Sequence, residues 1–160
     1  METAADYFDL MAEASISQAS KKPGMSSLKW GEGMILDTGD YYGRGKNRRR
    51  IPTACIQGIR ALQACATVES LSEDDADLAH PVLKQFGWEE AAFAKPLTTC
   101  PECDDGTKSK RHDAAGAVAH TNDTHGGWDR GGLQRVKTVL KKWAEQERAY
   151  VPVGKEVSKV

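Results

Sequence analysis

The sequence predicts a mainly α-helical protein (α+β class) with a small β or loop element in its C-terminal half. Three observations lead to this fold class. Apolar residues recur at helical spacing near the N-terminus, in the middle of the chain and near the C-terminus. A segment rich in glycine, residues 24–50, separates the first two helical parts. Two cysteines and two histidines at short spacings lie before the last helical part, where they predict a Cys2His2 module.

Composition narrows the class of protein. The chain has 160 residues, of which 39% are hydrophobic and 28% charged, with a net charge of −1. This balance gives no overall preference for nucleic acid or an anionic membrane. No apolar run approaches the ~20 residues of a membrane helix. Residues 1–20 contain acidic but no basic side chains, so we expect no secretory signal peptide and no membrane partner.

The N-terminal part, residues 1–50, is predicted to be a helix followed by a glycine-rich, basic arm. Tyr7, Leu10, Met11 and Ala14 share one face of a helix over residues 3–19. Lys22-Pro23-Gly24 should end this helix. Residues 34–36 suit a short strand, and residues 43–47 a loop.

Residues 51–96 are predicted to form a helical core. Pro52 suits the first turn of a helix over residues 53–67. Ser72 is a candidate N-cap for a short helix, and another turn should run from Pro81 to Gly87. Cys55 and Cys65 fall in an apolar helical pattern, which predicts buried core thiols.

Residues 97–150 are predicted to contain the Cys2His2 module and the longest helix, over residues 130–148. The apolar face of this helix is predicted to consist of Leu133, Val136, Val139, Leu140 and Trp143. Residues 151–160, which include Pro152 and Gly154, should form an extended tail.

The module has the spacing of a structural zinc site. Cys100 and Cys103 have two residues between them, and His120 and His125 have four. Zn²⁺ takes thiolate and neutral imidazole ligands in tetrahedral geometry, and both spacings lie within the ranges of known sites. His112 is an alternative ligand, because it lies nearer to Cys103 in the sequence.

The residues around the two histidines suggest how the ligands are delivered. We expect residues 117–119 to form a short strand that carries His120, and residues 121–124 to form a turn before His125. Asn122 and Asp123 are candidates to support the ligands or cap the turn. Because four protein ligands leave no position for water or substrate, we expect structural zinc and no catalytic residue.

The stretch from Val118 to Arg130 resembles a pattern found in small, uncharacterised bacteriophage and prophage proteins. In those proteins a CPxC pair precedes a His-Leu-Asn-Asp-x-His-x-Trp-Ser-Arg motif and a terminal helix. The matching positions are Cys100, Cys103, His120, Asn122, Asp123, His125, Trp128, Arg130 and Leu133. Residues 55–59 are similar to an upstream Cys-Ala-x-Gly-Ala segment of that group. The chain departs from the pattern at Thr121, at one extra glycine before Trp128, and at Gly131 and Gly132, where Glu would complete a capping box.

The resemblance implies a phage-type zinc module in the host cytoplasm or the virion, with no known activity. Our first hypothesis is a non-enzymatic protein that acts through contacts with phage or host proteins, as a virion accessory component or host-interaction factor. The second is a zinc-finger-like nucleic-acid-binding regulator of phage origin. Its candidate contacts are basic: Arg44, Lys46, Arg48, Arg49, Arg50, Lys137 and Lys141.

Overall fold

The structure, a computed structural model, describes residues 1–33, 35–37, 41–42, 45–47, 49–67, 70–71, 79–103, 113–127, 129 and 131–151. The predicted N-cap Ser72, the alternative ligand His112, Trp128, Arg130 and the tail beyond Val151 lie outside these residues. The helices are α1 Ala4–Ala12, α2 Ile16–Ala19, α3 Ile56–Gln63, α4 Ala79–Gln85, α5 Glu89–Phe93, α6 Ala114–His125 and α7 Gly132–Ala149. The strands are β1 Lys29–Trp30, β2 Tyr41–Tyr42, β3 Arg49–Arg50 and β4 Thr53–Ala54.

The N-terminal helical part consists of two helices, where the sequence predicted one. Helix α1 begins with a capping box, in which the Thr3 hydroxyl accepts from the Asp6 N–H and the Asp6 carboxylate accepts from the Thr3 N–H. The helix ends at Ala12, because Ser15 starts a new one. The Ser15 hydroxyl accepts from the Gln18 N–H, and its own N–H donates to the Gln63 side chain. The chain therefore turns between the helices.

The glycine-rich arm is partly packed into the protein. Met25, Leu28 and Leu36 are buried. Strand β1 pairs in parallel with β4, with Lys29 opposite Thr53. Residues 35 and 36 form no strand, so the strand predicted at residues 34–36 is wrong there, and residue 34 lies outside the described residues. The pairing falls instead at residues 29–30 and at a single bridge between Asp37 and Thr53. Strands β2 and β3 form a separate antiparallel pair, and residues 45–47, predicted as a loop, form a 3₁₀ turn.

The middle of the chain is helical, as predicted, but the boundaries differ. Helix α3 starts at Ile56, because Thr53 and Ala54 form β4. Helix α4 is followed by Gly87, whose φ of 71° suits glycine after a helix. Cys55 is buried as predicted. Cys65 is exposed, so the prediction of a second core thiol is wrong; the chain has left α3 by then, and Cys65 has a φ of 76°.

One hydrophobic core joins the three predicted segments. It extends from Ala4 to Ala144 and includes residues of all seven helices named above. Helix α2 contributes Ala19. Helix α1 packs along α7, where the rings of Phe8 and Trp143 lie 4.8 Å apart between centroids. At the end of the same interface, Arg148 forms ion pairs with Asp6 and Asp9. The C-terminal helix is thus central to the fold.

The fold class is confirmed at the level of a mainly α-helical protein with a small β element. The predicted apolar face of α7 is buried at Val136, Val139, Leu140 and Trp143. Within the described part of the chain, no helix combines the length and the apolar character needed to cross a membrane.

Candidate metal centre

Cys100, Cys103, His120 and His125 come together in one cluster. Their donor atoms all lie within 4.8 Å of one another. Cys100 is buried, and the other three residues are partly buried. The cluster could hold a metal ion, with two sulfur and two nitrogen donors.

The distances within the cluster are close to those of a tetrahedral site. The Cys103 sulfur lies 3.1 Å from His120 Nε2 and 3.2 Å from His125 Nε2. The Cys100 sulfur lies 3.4 Å from His125 Nε2. With Zn–S bonds of about 2.3 Å and Zn–N bonds of about 2.0 Å, neighbouring sulfur and nitrogen atoms of a tetrahedral zinc site lie about 3.5 Å apart. Small movements of the side chains would therefore admit the ion.

The cysteines lie on a tight turn. The Cys103 N–H donates to the Cys100 carbonyl at 3.4 Å, which closes the turn over Pro101 and Glu102. Burial raises the pKa of the Cys100 thiol to about 11, and the backbone N–H of Glu102 acts in the opposite direction. A metal ion at this position must therefore displace a proton from Cys100.

The two histidines lie on helix α6, so the predicted strand at residues 117–119 and turn at residues 121–124 are wrong. Asp113 caps the helix by accepting from the Gly116 N–H, and the small residues that follow are compatible with a helix. Residues five positions apart differ by about 140° around a helix. The rings nevertheless converge, with centroids 5.5 Å apart, because His125 occupies the last turn.

Asn122 connects the histidine helix to the N-terminal half of the protein. Its side chain is fully buried. Its Oδ1 accepts from Trp30 Nε1 at 2.7 Å and from the Ile56 N–H at 2.9 Å, while its Nδ2 donates to the Gly31 carbonyl at 3.1 Å. Asp123 in turn accepts from the Gly33 N–H. These two residues, predicted to support the ligands, thus hold α6 against β1 and the start of α3.

Trp30 fills the space beside the last turn of α6 and the first turn of α7. A Cβ atom added to Gly126 would lie 2.2 Å from the Trp30 ring, and one added to Gly132 would lie 2.3 Å from it. Both positions therefore require glycine while the ring is in place. The departure from the phage pattern at Gly132 has a packing reason here.

Helix α7 holds the segment that leads into the cysteine turn. Glu147, a buried carboxylate, accepts from the N–H groups of Leu97 and Thr98, each at 2.7 Å. Gln146 donates to the Thr98 hydroxyl and the Thr99 carbonyl. Further along, Lys142 forms an ion pair with Glu102 inside the turn, at 2.8 Å. The segment before the cysteine turn and the turn itself are thereby fixed to α7.

The start of α7 differs from the prediction. The predicted helix starts at residue 130, whereas α7 begins at Gly132 with Gly131 as its N-cap residue, which has no side chain to cap the helix. Asp129 accepts from the Gly131 N–H and pairs with Arg135, and Arg135 also donates to the Gly126 carbonyl at 2.8 Å. Arg135 therefore links the ends of the two helices.

No protein-family model matches this chain, and no curated protein and no solved structure shows significant similarity to it. The resemblance to phage proteins thus stays a prediction.

The structure describes only some of the candidate nucleic-acid contacts. Lys141 is exposed and Lys137 is partly exposed on α7. Lys46 is exposed in the 3₁₀ turn, and the backbone of Arg49 and Arg50 forms β3. Arg44 and Arg48 lie outside the described residues.

Trp30 and Glu147 are the functional supports that sequence reasoning missed. Gly126, directly after His125, is a partial signal for Trp30, because glycine allows another group to approach the backbone closely. The signal for Glu147 is its position on the apolar side of a helix end that is otherwise charged. A carboxylate buried there needs hydrogen-bond donors as partners.

Proposed function

We propose that this chain is a non-enzymatic, zinc-stabilised phage protein that acts through contacts with other proteins. Cys100, Cys103, His120 and His125 would hold one Zn²⁺. The convergence of these four donors on one point, reached from a turn and a helix distant in sequence, carries the proposal. The role would be that of a virion accessory component or a host-interaction factor.

The donor set favours zinc over other metals. Two thiols and two imidazoles in a tetrahedral arrangement are typical of Zn²⁺, whereas Mg²⁺ and Ca²⁺ prefer oxygen ligands. All four ligands come from the protein. A complete set of this kind supports a structural rather than a catalytic metal, since catalysis needs an open coordination position.

The contribution of the metal to folding should be large. Structural zinc contributes on the order of 10–16 kcal/mol in model peptides. The ligands join the cysteine turn to α6, and α6 to α7 through Arg135. Metal binding would therefore stabilise the part of the protein from residue 97 to residue 149.

Exposed apolar side chains near the end of α7 support a role in protein contacts. Leu97, Tyr150 and Val151 have relative exposures of 52%, 41% and 51%. The Leu97 N–H donates to the Glu147 carboxylate and the Tyr150 N–H donates to the Glu147 carbonyl, so both residues lie beside Glu147. Exposed apolar side chains are common in protein interfaces.

The proposal can be tested by capture experiments with tagged protein from phage-infected cells. We expect a stoichiometric phage or host protein to be captured by the wild type and lost with Leu97→Ser/Tyr150→Ser. The matched control is Gln134→Ser/Thr138→Ser, on an exposed part of α7. Capture that is equal for both variants, or that yields only nucleic acid, would contradict a protein-contact role at this surface.

A further inference from the structure

A backbone bridge between Asp37 and Thr53 closes the base of an arm, of which the structure describes residues 41–42, 45–47 and 49–52. The Asp37 N–H donates to the Thr53 carbonyl at 2.7 Å, and the Thr53 N–H donates to the Asp37 carbonyl at 2.8 Å. The Lys29 N–H donates to the Pro52 carbonyl at 2.9 Å, next to this bridge. These bonds involve only backbone atoms, so the base does not depend on the side chains of the arm.

Inside the arm the chain folds into a two-stranded ribbon. Strands β2 and β3 pair antiparallel, with Tyr41 opposite Arg50 and Tyr42 opposite Arg49. The 3₁₀ turn at residues 45–47 lies between them, and Gly45 and Lys46 are exposed there. Gly45 has a φ of 57°, which suits glycine in a tight reversal.

The composition of the ribbon is unusual for a protein with a net charge of −1. No acidic residue occurs between Tyr41 and Thr53, whereas three of its described residues, Lys46, Arg49 and Arg50, are basic. Opposed residues of an antiparallel pair share a face. Each face of the ribbon thus has one tyrosine position beside one arginine position.

We propose that this ribbon binds single-stranded nucleic acid. Arginine and lysine neutralise backbone phosphates, and tyrosine rings stack with unpaired bases, so that a tyrosine position beside an arginine position matches one nucleotide. An anionic lipid surface would use the basic residues but not the aromatic stacking.

The tyrosine positions favour single strands over duplexes. Unpaired bases can stack on aromatic side chains, whereas the bases of a duplex are already stacked on one another. The ribbon has one such tyrosine position on each face. This binding activity is separate from the zinc-dependent protein contacts proposed above and does not depend on them.

The test measures the fluorescence anisotropy of a labelled oligothymidine, and of a matching duplex, with the zinc-loaded full chain. We expect tighter binding of the single strand, with an affinity that falls steeply between about 50 and 200 mM salt. Tyr41→Val/Tyr42→Val keeps residues that favour strands but removes the rings, and should weaken binding by at least about tenfold. Arg49→Gln/Arg50→Gln should make the salt dependence shallower by about 0.7 for each phosphate that is no longer neutralised.

The matched control is Lys84→Gln/Lys95→Gln, which removes two exposed positive charges outside the ribbon. It should leave affinity within about twofold of the wild type, and circular dichroism should show that all variants are folded. The proposal is overturned if the duplex binds as tightly as the single strand, if the tyrosine variant binds normally, or if the lysine control loses as much affinity as the arginine variant. Binding to anionic vesicles that is insensitive to the tyrosines, with no oligonucleotide binding, would also overturn it.

Discussion

Trp30 Nε1 donates a hydrogen bond of 2.7 Å to Asn122 Oδ1, between residues that are 92 positions apart in the chain. Asn122 lies two residues after the candidate ligand His120 on α6, so this bond connects the glycine-rich N-terminal segment to the metal centre. The same oxygen also accepts from the Ile56 N–H at the start of α3. One buried side chain thus fixes three parts of the fold relative to one another.

The bond predicts strong coupling between Trp30 and Asn122. Asn122→Ala leaves the Trp30 and Ile56 donors without their acceptor in a buried place, and should lower the free energy of unfolding by about 2–4 kcal/mol. Trp30→Phe should show a smaller loss. In a double-mutant cycle measured by urea unfolding, we expect a coupling energy of about 1 kcal/mol or more. If the loss in the double variant equals the sum of the two single losses within about 0.3 kcal/mol, the bond contributes nothing to stability.

The packing of Trp30 predicts an unusual response to alanine at Gly132. In most helices Gly→Ala stabilises by up to about 1 kcal/mol. Here the new Cβ would meet the Trp30 ring, so Gly132→Ala should destabilise by about 1–3 kcal/mol. The control is Gly131→Ala, whose Cβ would meet the far end of the long Arg135 side chain instead of the Trp30 ring, and this change should be closer to neutral. Thermal melts of both variants check the prediction.

Repeating Gly132→Ala in a Trp30→Ala protein tests the cause of the Gly132 effect. If the clash with Trp30 is responsible, Gly132→Ala should become neutral or stabilising in a Trp30→Ala protein. A loss of the same size in both backgrounds would assign the effect to the backbone of α7 instead.

The buried carboxylate of Glu147 is predicted to hold the segment before the cysteine turn in place against α7. Glu147→Ala removes the acceptor for the Leu97 and Thr98 N–H groups, and should lower the free energy of unfolding by about 2–4 kcal/mol. Zinc should also bind more weakly, because the segment before Cys100 loses its anchor. The matched control is Glu145→Ala, an exposed carboxylate on the same helix, with a change within about 0.5 kcal/mol. Equal melting temperatures for the two variants would contradict this role.

The raised pKa of Cys100 predicts that zinc binding depends on pH. A raised pKa means that the metal-free thiol carries its proton at neutral pH, and the metal must displace that proton. Affinity should therefore fall as pH falls, by about tenfold per pH unit for each proton released. Competition with a chromophoric chelator between about pH 6 and 8 measures this slope.

Cys55 supplies the control for the pH experiment. Burial also raises the pKa of its thiol to about 11, but it lies outside the cluster. Cys55→Ala should leave the pH dependence of zinc affinity unchanged. A flat dependence in the wild type, or a slope that changes with Cys55, would show that Cys100 is not the group that releases the proton.

The sequence allowed the helices and the cluster to be predicted because both follow from local patterns. The apolar spacing in α1, α3 and α7 identifies their buried faces, and the CxxC and HxxxxH spacings identify the four donors. The secondary structure around the histidines could not be predicted in this way. Residues 114–125 have a weak apolar pattern, and their helical state depends on the Asp113 cap and on packing against α1, α3 and α7.

Long-range hydrogen bonds account for the other differences. Nothing local to Asn122 indicates that its amide would reach Trp30 and Ile56 rather than the neighbouring ligands. Glu147 likewise obtains its partners from residues about 50 positions away. The break between α1 and α2 depends on Gln63, which accepts from the Ser15 N–H. Contacts of this kind arise only once the core has brought distant segments together.

The most direct test of the account is the metal content of the purified protein. Native mass spectrometry and elemental analysis should find one zinc ion per chain, and Co²⁺ substitution should give the absorption of a tetrahedral site with two thiolates. Cys103→Ser should abolish stable binding and unfold the C-terminal part, while Cys65→Ser should retain the ion. A wild-type protein that holds no metal after exposure to zinc, or a Cys103→Ser variant with unchanged zinc content and melting temperature, would contradict the central claim.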